Sequence, residues 1–388
     1  MIPFIDLNAQ FKRIEDKVIE RAVAVLRSGR YINGPELTEL EERLADFAGV
    51  KHCVCCSSGT DALLMALMAW GIGPGHAVFT SPFTFFATGE VISLLGATPI
   101  FVDVDPVTFN IDPAQLEKAI EAVKNNDSSL YPLPPNIDMT SLVAKAVIPV
   151  DIFGIPAEYD ALNAIAAKYD LLMLEDAAQS FGAEYNGKKT CSLTEVAATS
   201  FYPSKPIGAY GDGGAVFTDD DHIKKLLHSV RVHGQGGVDK YDNARLGLNA
   251  RMDTIQAAMM LPKMDILDDE LAARRKFAAK YTELLTPIDG ITPPTVPAHC
   301  KSAWAQYSVL SDRKAELQAA LGKAEIPTAE FYPTPLHMQT AFGYLGYAPE
   351  DMPVSFDCSK RIFSLPMHPY MQEGTHERIC EVIAATLA

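Results

Sequence analysis

The sequence predicts an α/β fold built on a largely parallel, buried sheet. Short apolar runs recur at 52–56, 77–80, 99–104, 145–153, 171–175, 198–202 and 214–218, each bounded by turn-forming residues. The runs are continuous rather than alternating, which suits strands covered on both faces. Stretches of helical periodicity lie between them. At 388 residues and 48% hydrophobic content, the chain can also bury two sizeable cores.

Taken in order, the run at 52–56 carries Cys53, Cys55 and Cys56, but Cys-x-Cys-Cys lacks a second ligand pair at zinc spacing, so a strand is expected and no metal. A helix over Thr60–Trp70 follows. Between the runs at 99–104 and 145–153, Asn125–Ser141 carries Asp-Ser-Ser, Pro132, Pro134 and Pro135 and reads as a surface excursion or flap. Ala157–Tyr169 is helical in pattern. From Asp253 to Leu284 few breakers interrupt Ala, Leu, Met and charged residues, so a long helix or helix pair kinked at Pro262 leaves the first domain. Trp304-Ala-Gln-Tyr-Ser-Val-Leu310 and a closing helix near Thr375–Leu387 belong to a smaller α+β domain, which divides the chain into 1–255 and 256–388.

A net charge of −16 without a Lys/Arg stripe argues against nucleic acid or an anionic membrane as partner. No apolar run reaches the roughly 18 residues that span a bilayer. The seven cysteines are odd in number and scattered, and the chain opens Met-Ile-Pro-Phe-Ile-Asp without a charged-then-apolar leader, so a reducing cytoplasm is expected.

The chemistry centres on Lys205, in Ser200-Phe-Tyr-Pro-Ser-Lys-Pro-Ile-Gly-Ala-Tyr-Gly-Asp-Gly-Gly214. A lysine that bonds an aldehyde must spend part of its time neutral, and a carboxylate facing a pyridine nitrogen lets that ring accept electrons. Glu175-Asp-Ala-Ala-Gln179 supplies the carboxylate as Asp176, at the end of a buried strand, where α/β sheets place ligands. The two segments together describe a pyridoxal 5'-phosphate (PLP) site. Gln179 is placed to reach the ring hydroxyl from the same turn. Ser58, Gly59 and Thr60 stand where a strand gives way to a helix, and a helix start offers N–H groups to a phosphate. Phe85, in Ser81-Pro-Phe-Thr-Phe-Phe86, can lie on the ring. Each has an ordinary alternative: a helix cap for Ser-Gly-Thr-Asp, core packing for Phe85, a salt bridge for Asp176, a solvated loop lysine for Lys205. Their company in one chain favours the cofactor.

With these segments in view, the chain resembles the DegT/StrS family of nucleotide-sugar aminotransferases. The resemblance runs through Ile2-Pro-Phe-Ile-Asp-Leu7, Ser28-Gly-Arg-Tyr-Ile-Asn-Gly-Pro35, Ser58-Gly-Thr-Asp, Pro82-Phe-Thr-Phe, Glu175 to Gln179, Ser200 to Gly214, Arg231-Val-His-Gly234, Leu248-Asn-Ala-Arg-Met-Asp253 and Ser364-Leu-Pro-Met-His368. It implies PLP fold type I, with a seven-stranded, mostly parallel sheet in the large domain. By position it assigns Lys205 to the covalent link with PLP, Asp176 to the pyridine nitrogen, Gln179 to the ring hydroxyl, Phe85 to stacking, and Gly59, Thr60 and Ser200 to the phosphate. It implies that Asn249 reaches the phosphate from the neighbouring subunit, hence a homodimer with shared sites. Pro206 departs from the Asn that many members carry. Related dehydratases carry histidine at the lysine position, so Lys205 implies transamination, with L-glutamate as donor and a keto sugar as acceptor.

Asn249-Ala-Arg251-Met-Asp together with Phe331-Tyr-Pro-Thr-Pro-Leu-His337 looks like members acting on UDP-2-acetamido-2-deoxy-3-oxo-glucuronate, in surface-glycan biosynthesis. Arg251 can hold a uronate carboxylate in a bidentate fork or serve a subunit interface. Tyr31, Tyr332 and His337 are further substrate candidates, each also able simply to pack. The competing readings are an aminotransferase for a 4-keto-6-deoxy nucleotide sugar, a PLP-binding regulator without catalysis, and an α/β binding module without cofactor.

Overall fold

The computed structural model describes residues 2–236, 239 and 241–388. Two helices open the chain, α1 (Leu7–Ser28) and α2 (Pro35–Ala48). Asp6 accepts the Ala9 N–H at 2.9 Å to start α1, and Gly29 at φ 69° ends it in the left-handed conformation that glycine takes without strain. Strand and helix then alternate: β1 (His52–Cys56), α3 (Gly59–Ala69), β2 (His76–Thr80), α4 (Phe86–Leu94), β3 (Thr98–Phe101), α5 (Pro113–Asn125), β4 (Val143–Ile148), α6 (Tyr159–Tyr169) and β5 (Leu172–Asp176). Two short strands, β6 (Glu184–Tyr185) and β7 (Lys188–Lys189), precede β8 (Val196–Ser200), β9 (Gly214–Thr218) and α7 (Asp221–Arg231).

The large sheet has seven strands in the order β1-β9-β8-β5-β4-β2-β3. All pairings from β8 to β3 are parallel, while β9 runs against both of its neighbours. This is the fold class the apolar runs predict. β9 is buried at all five positions, as both covered faces require. Alternation along β1 sends Cys53 and Cys55 to the core shared with Leu40, Phe181 and Met260, and Val54 and Cys56 to the core shared with Met65, Leu67 and Leu227.

Beyond the sheet come α8 (Thr254–Met264), α9 (Leu267–Leu285), β10 (Cys300–Lys301), β11 (Tyr307–Leu310), α10 (Lys314–Lys323), α11 (Pro353–Arg361), β12 (Ile362–Leu365) and α12 (Thr375–Leu387). β11 and β12 pair antiparallel, and Tyr281, Tyr307, Phe363 and Ile379 form a core of their own beside them. Buried Asp103 clamps this part to the sheet, accepting the Val354 and Ser355 N–H groups at 2.9 Å each and the Ser355 hydroxyl at 2.6 Å.

Two expectations change. The helix break falls between Met264 and Leu267 rather than at Pro262, which stands inside α8. Proline removes one N–H and crowds the turn before it, and here the helix continues for two residues past it. The 125–141 segment is no plain surface loop, because Tyr131, Leu133 and Met139 are buried in the sheet's main core. The Tyr131 hydroxyl accepts the Asp103 N–H at 2.8 Å, so the prolines shape a packed excursion. Among the described residues no helix is long and apolar enough to cross a membrane.

Candidate active site

The site residues collect at one edge of the large sheet because the strands deliver them there. β1 runs out into Ser57 and Ser58, β2 into Ser81–Phe85, β5 ends in Asp176 and β8 in Ser200, while the reversed β9 begins at Gly214 beside Ser200. A cavity of about 510 Å³ opens over this edge. Ser58, Gly59, Thr60, Phe85, Asp176, Gln179, Ser200 and Lys205 all line it. Residues from distant sequence complete the lining: Phe4, Ile5, Gln306, Phe331 and Tyr332.

Asp176 is 4% exposed. Its Oδ2 accepts the Thr88 hydroxyl at 2.9 Å and its Oδ1 the Ala178 N–H at 3.2 Å. Burial raises its pKa, while those two donors and the charge on Lys205 pull it back. Neighbouring Glu175 points the other way, its carboxylate taken by the Cys191 and Leu193 N–H groups at 2.6 and 3.1 Å. Strand alternation therefore selects Asp176, not Glu175, for the cavity. Burial lowers the Lys205 amine to about 8, and the Asp176 charge opposes that shift. A substantial neutral fraction thus exists near physiological pH, as a nucleophilic lysine needs.

Where α3 begins, backbone meets backbone closely. A Cβ on Gly59 would stand 2.6 Å from the Ser200 Cβ, so only glycine lets the helix start approach β8. Ser58 caps α3, its hydroxyl accepting the Asp61 N–H at 3.0 Å. The Lys205 loop is as tight: a Cβ on Gly208 would lie 2.3 Å from the Pro203 carbonyl oxygen. Gln179 has a defined amide orientation. Its Oε1 accepts the Phe153 N–H at 2.8 Å, which turns Nε2 to the Tyr332 hydroxyl at 3.2 Å. Phe153 adopts φ 60° to present that N–H. Phe85 stands just ahead of α4, its ring 56% exposed and 6.3 Å from that of Tyr332.

Four expected residues do not line this cavity within one chain. Tyr31 is 51% exposed and donates its hydroxyl to the Leu26 carbonyl at 3.2 Å. Asn249 is exposed and Arg251 half-buried, on an extended segment bridged to Val232 and Cys56. Two residues apart there, they share a face. His337 is buried at 2%, and desolvation lowers it to about 4, so it is neutral at physiological pH. The sequence reading also overlooked several residues. Thr88, Phe153 and Gln306 became visible only through the tertiary structure. So did Asp151, whose Oδ2 accepts the Ser180 hydroxyl at 2.7 Å and braces the turn bearing Asp176 and Gln179.

Residues 12–384 match the DegT/DnrJ/EryC1/StrS aminotransferase family. The chain belongs to that family. The UDP-2-acetamido-2-deoxy-3-oxo-D-glucuronate aminotransferase of Pseudomonas aeruginosa is 46% identical to it over 383 residues, 99% of each chain. A crystal structure of a DegT DnrJ EryC1 StrS aminotransferase from Brucella abortus superposes with a TM-score of 0.94, at 46% identity and with 100% of both chains covered. The structure of S. venezuelae DesV in complex with a ketimine intermediate superposes with a TM-score of 0.91 at 32% identity, covering 99% of this chain and 98% of that one. The fold is PLP-dependent transferase fold type I, and the protein is a PLP-dependent aminotransferase.

The residues at the cavity suit that cofactor. A buried carboxylate held, among the described residues, by one hydroxyl and one amide N–H has capacity left for a protonated ring nitrogen. The start of α3, brought against Ser200 by Gly59 and lining the cavity, suits an anionic group.

Proposed function

We propose that this aminotransferase moves the amino group of L-glutamate to the 3-keto carbon of UDP-2-acetamido-2-deoxy-3-oxo-glucuronate, for a bacterial surface glycan, as a cytoplasmic homodimer. The observation that carries the transamination chemistry is the pairing of buried Asp176 with the pKa-lowered Lys205 in one cavity. The 46% identity to the P. aeruginosa enzyme, over 99% of both chains, supports this substrate. The seven free, buried thiols fit a reducing compartment.

PLP supplies, when bound, an aldehyde that takes up the donor's amine and a ring that draws electrons from the carbon losing its proton. The remaining work falls to the chain's own residues. Lys205 is the attachment point and, once freed, the base whose Nζ takes the proton from the donor's α-carbon. Asp176 would hold the proton on the ring nitrogen, and Gln179 Nε2 would donate to the ring hydroxyl. Ser58, Gly59, Thr60 and Ser200 would hold the phosphate, and Phe85 would cover a ring face. Phe4, Ile5, Phe331 and Tyr332, which also line the cavity, would help to exclude water.

Asn249 and Arg251 enter this reading from the partner subunit. The exposure of Asn249, and the position of both residues outside the chain's own cavity lining, support it. So do the half-exposed Tyr31, Ile32 and Phe85 and the 88%-exposed Leu246, apolar surface that a partner would cover. Arg251 would pair with the uronate carboxylate, and Tyr31, Tyr332 and His337 are the further substrate residues of this reading. It divides the chain at 255/256, the second part bringing Gln306, Phe331 and Tyr332 to the cofactor side.

The deciding experiment loads the pyridoxamine form and offers 3-keto and 4-keto UDP and dTDP sugars. The 3-keto uronate alone should restore the visible absorbance of the aldehyde form at full rate. Arg251→Ala should slow that sugar by roughly a hundredfold, the worth of a lost bidentate ion pair. Equal rates with neutral sugars, or an indifferent Arg251→Ala, would remove the uronate assignment.

A further inference from the structure

Thr88 and Thr84 form a one-way chain of hydrogen bonds that ends on Asp176. Thr88 is 1% exposed and Thr84 2%, and both line the cavity. Thr88 Oγ1 lies 2.9 Å from Asp176 Oδ2 and 3.1 Å from Thr84 Oγ1. An ionised carboxylate only accepts, so the single Thr88 hydroxyl proton goes to Asp176. The Thr84 hydroxyl must then donate to Thr88. Thr84 stands just before and Thr88 within the first turn of α4, whose N-cap residue is Phe85, so one helix start places the exposed ring and the buried relay together. The Ala178 N–H occupies Oδ1 only in part, at 3.2 Å. Thr88 is thus the shorter of the two bonds holding this carboxylate.

We propose that Thr88, oriented by Thr84, is the positioning residue that keeps the Asp176 carboxylate ionised and fixed in rotamer for the cofactor ring. A hydrogen bond to the charged form stabilises it against the cost of burial. With one donor on each oxygen, the carboxylate still has room for a further partner. The proposal rests on the reading of Asp176 as the ring-nitrogen partner, and its test separates the two.

Apoprotein of Thr88→Val, Thr88→Ser, Thr84→Val and Asp176→Asn is titrated with PLP, with tryptophan fluorescence reporting binding. The rate at which glutamate bleaches the visible band is measured on the same samples. Thr88→Val keeps the side-chain shape and loses the donor. Its apparent PLP dissociation constant should rise about tenfold or more, and bleaching should slow by a similar factor, as expected for a lost hydrogen bond to a charged group. Thr88→Ser, which restores the donor, should recover to within about threefold, and Thr84→Val should fall between them. If Thr88→Val does not fold, Thr88→Ala removes the same donor without adding bulk. Parent-like affinity and bleaching in the donor-less variant, with both lost in Asp176→Asn, would overturn the relay alone. Parent-like behaviour of Asp176→Asn would overturn the reading beneath it. A Thr88→Ser variant as impaired as Thr88→Val would assign the effect to packing and also reject the relay.

Discussion

Lys205 shows how far one side chain's chemistry can be read in advance and where that reading stops. Its type and its glycine-bounded loop were legible, because an amine meant to attack an aldehyde must be held and partly desolvated. The size of the desolvation was not, since the cavity holding Lys205 is lined as well by Phe4, Ile5 and Tyr332, far away in the chain. Burial depresses the amine to about 8, so it is mostly protonated below that pH and free above it. Uptake of PLP by the apoprotein should therefore rise about tenfold per pH unit up to about 8 and then level, followed by the growth of visible absorbance. Asp176→Asn removes the charge that supports the ammonium form, so the midpoint should move to lower pH. A flat profile across that range would contradict the assigned environment. Lys205→Met should lower turnover by about a thousandfold or more, as for loss of a general base that is also the attachment point.

At the scale of elements, helix starts and tight loops position the chemistry, and glycines permit them. Gly59→Ala would drive a methyl to 2.6 Å from the Ser200 Cβ. The expected result is a PLP dissociation constant raised by at least about tenfold, with most of the melting temperature retained, since the clash sits at a helix end rather than in the core. The Lys205 loop is held from behind by α8. Lys263 donates to the Gly208 carbonyl at 2.6 Å and lies 4.0 Å from the centre of the Tyr210 ring, while Gln256 accepts the Tyr210 N–H at 2.9 Å. Lys263→Met keeps the aliphatic stem and loses the bond. A cost of about 1–3 kcal/mol to stability is expected, with faster amide exchange confined to the loop around Gly208. Unchanged exchange there would show that α8 does not restrain the loop. The helix pair was legible from its composition. The position of its break was not, because packing decides where a helix already weakened by Pro262 gives way.

For the whole molecule, the large sheet followed from the sequence because most of its strand positions are buried on both faces and therefore read as apolar runs. The excursion at 125–141 misled for the complementary reason: prolines and polar residues mark turns without revealing that Tyr131 and Leu133 fold back into the core between them. Asn249 and Arg251 belong to this scale, since no single chain brings them to its own cavity wall. Co-expression of Lys205→Ala with Asn249→Ala provides the check. Each variant alone should be nearly inactive, whereas random pairing should restore about a quarter of parent activity through hybrid dimers holding one intact site. No recovery in the mixture, with hybrids present by mass, would place Asn249 outside the partner's site.

The sequence by itself determined the fold class and the PLP chemistry, and it singled out Lys205, Asp176 and the start of α3 as the residues proposed to serve it. Those properties depend on local pattern, on strand ends and on the few side chains able to perform the chemistry. Only the tertiary structure decided that Thr88 holds Asp176, that Phe153 orients Gln179 and that Tyr31, Asn249, Arg251 and His337 stand outside one chain's cavity. Each of these depends on what distant segments leave room for, and neither propensity nor spacing along the chain carries that information.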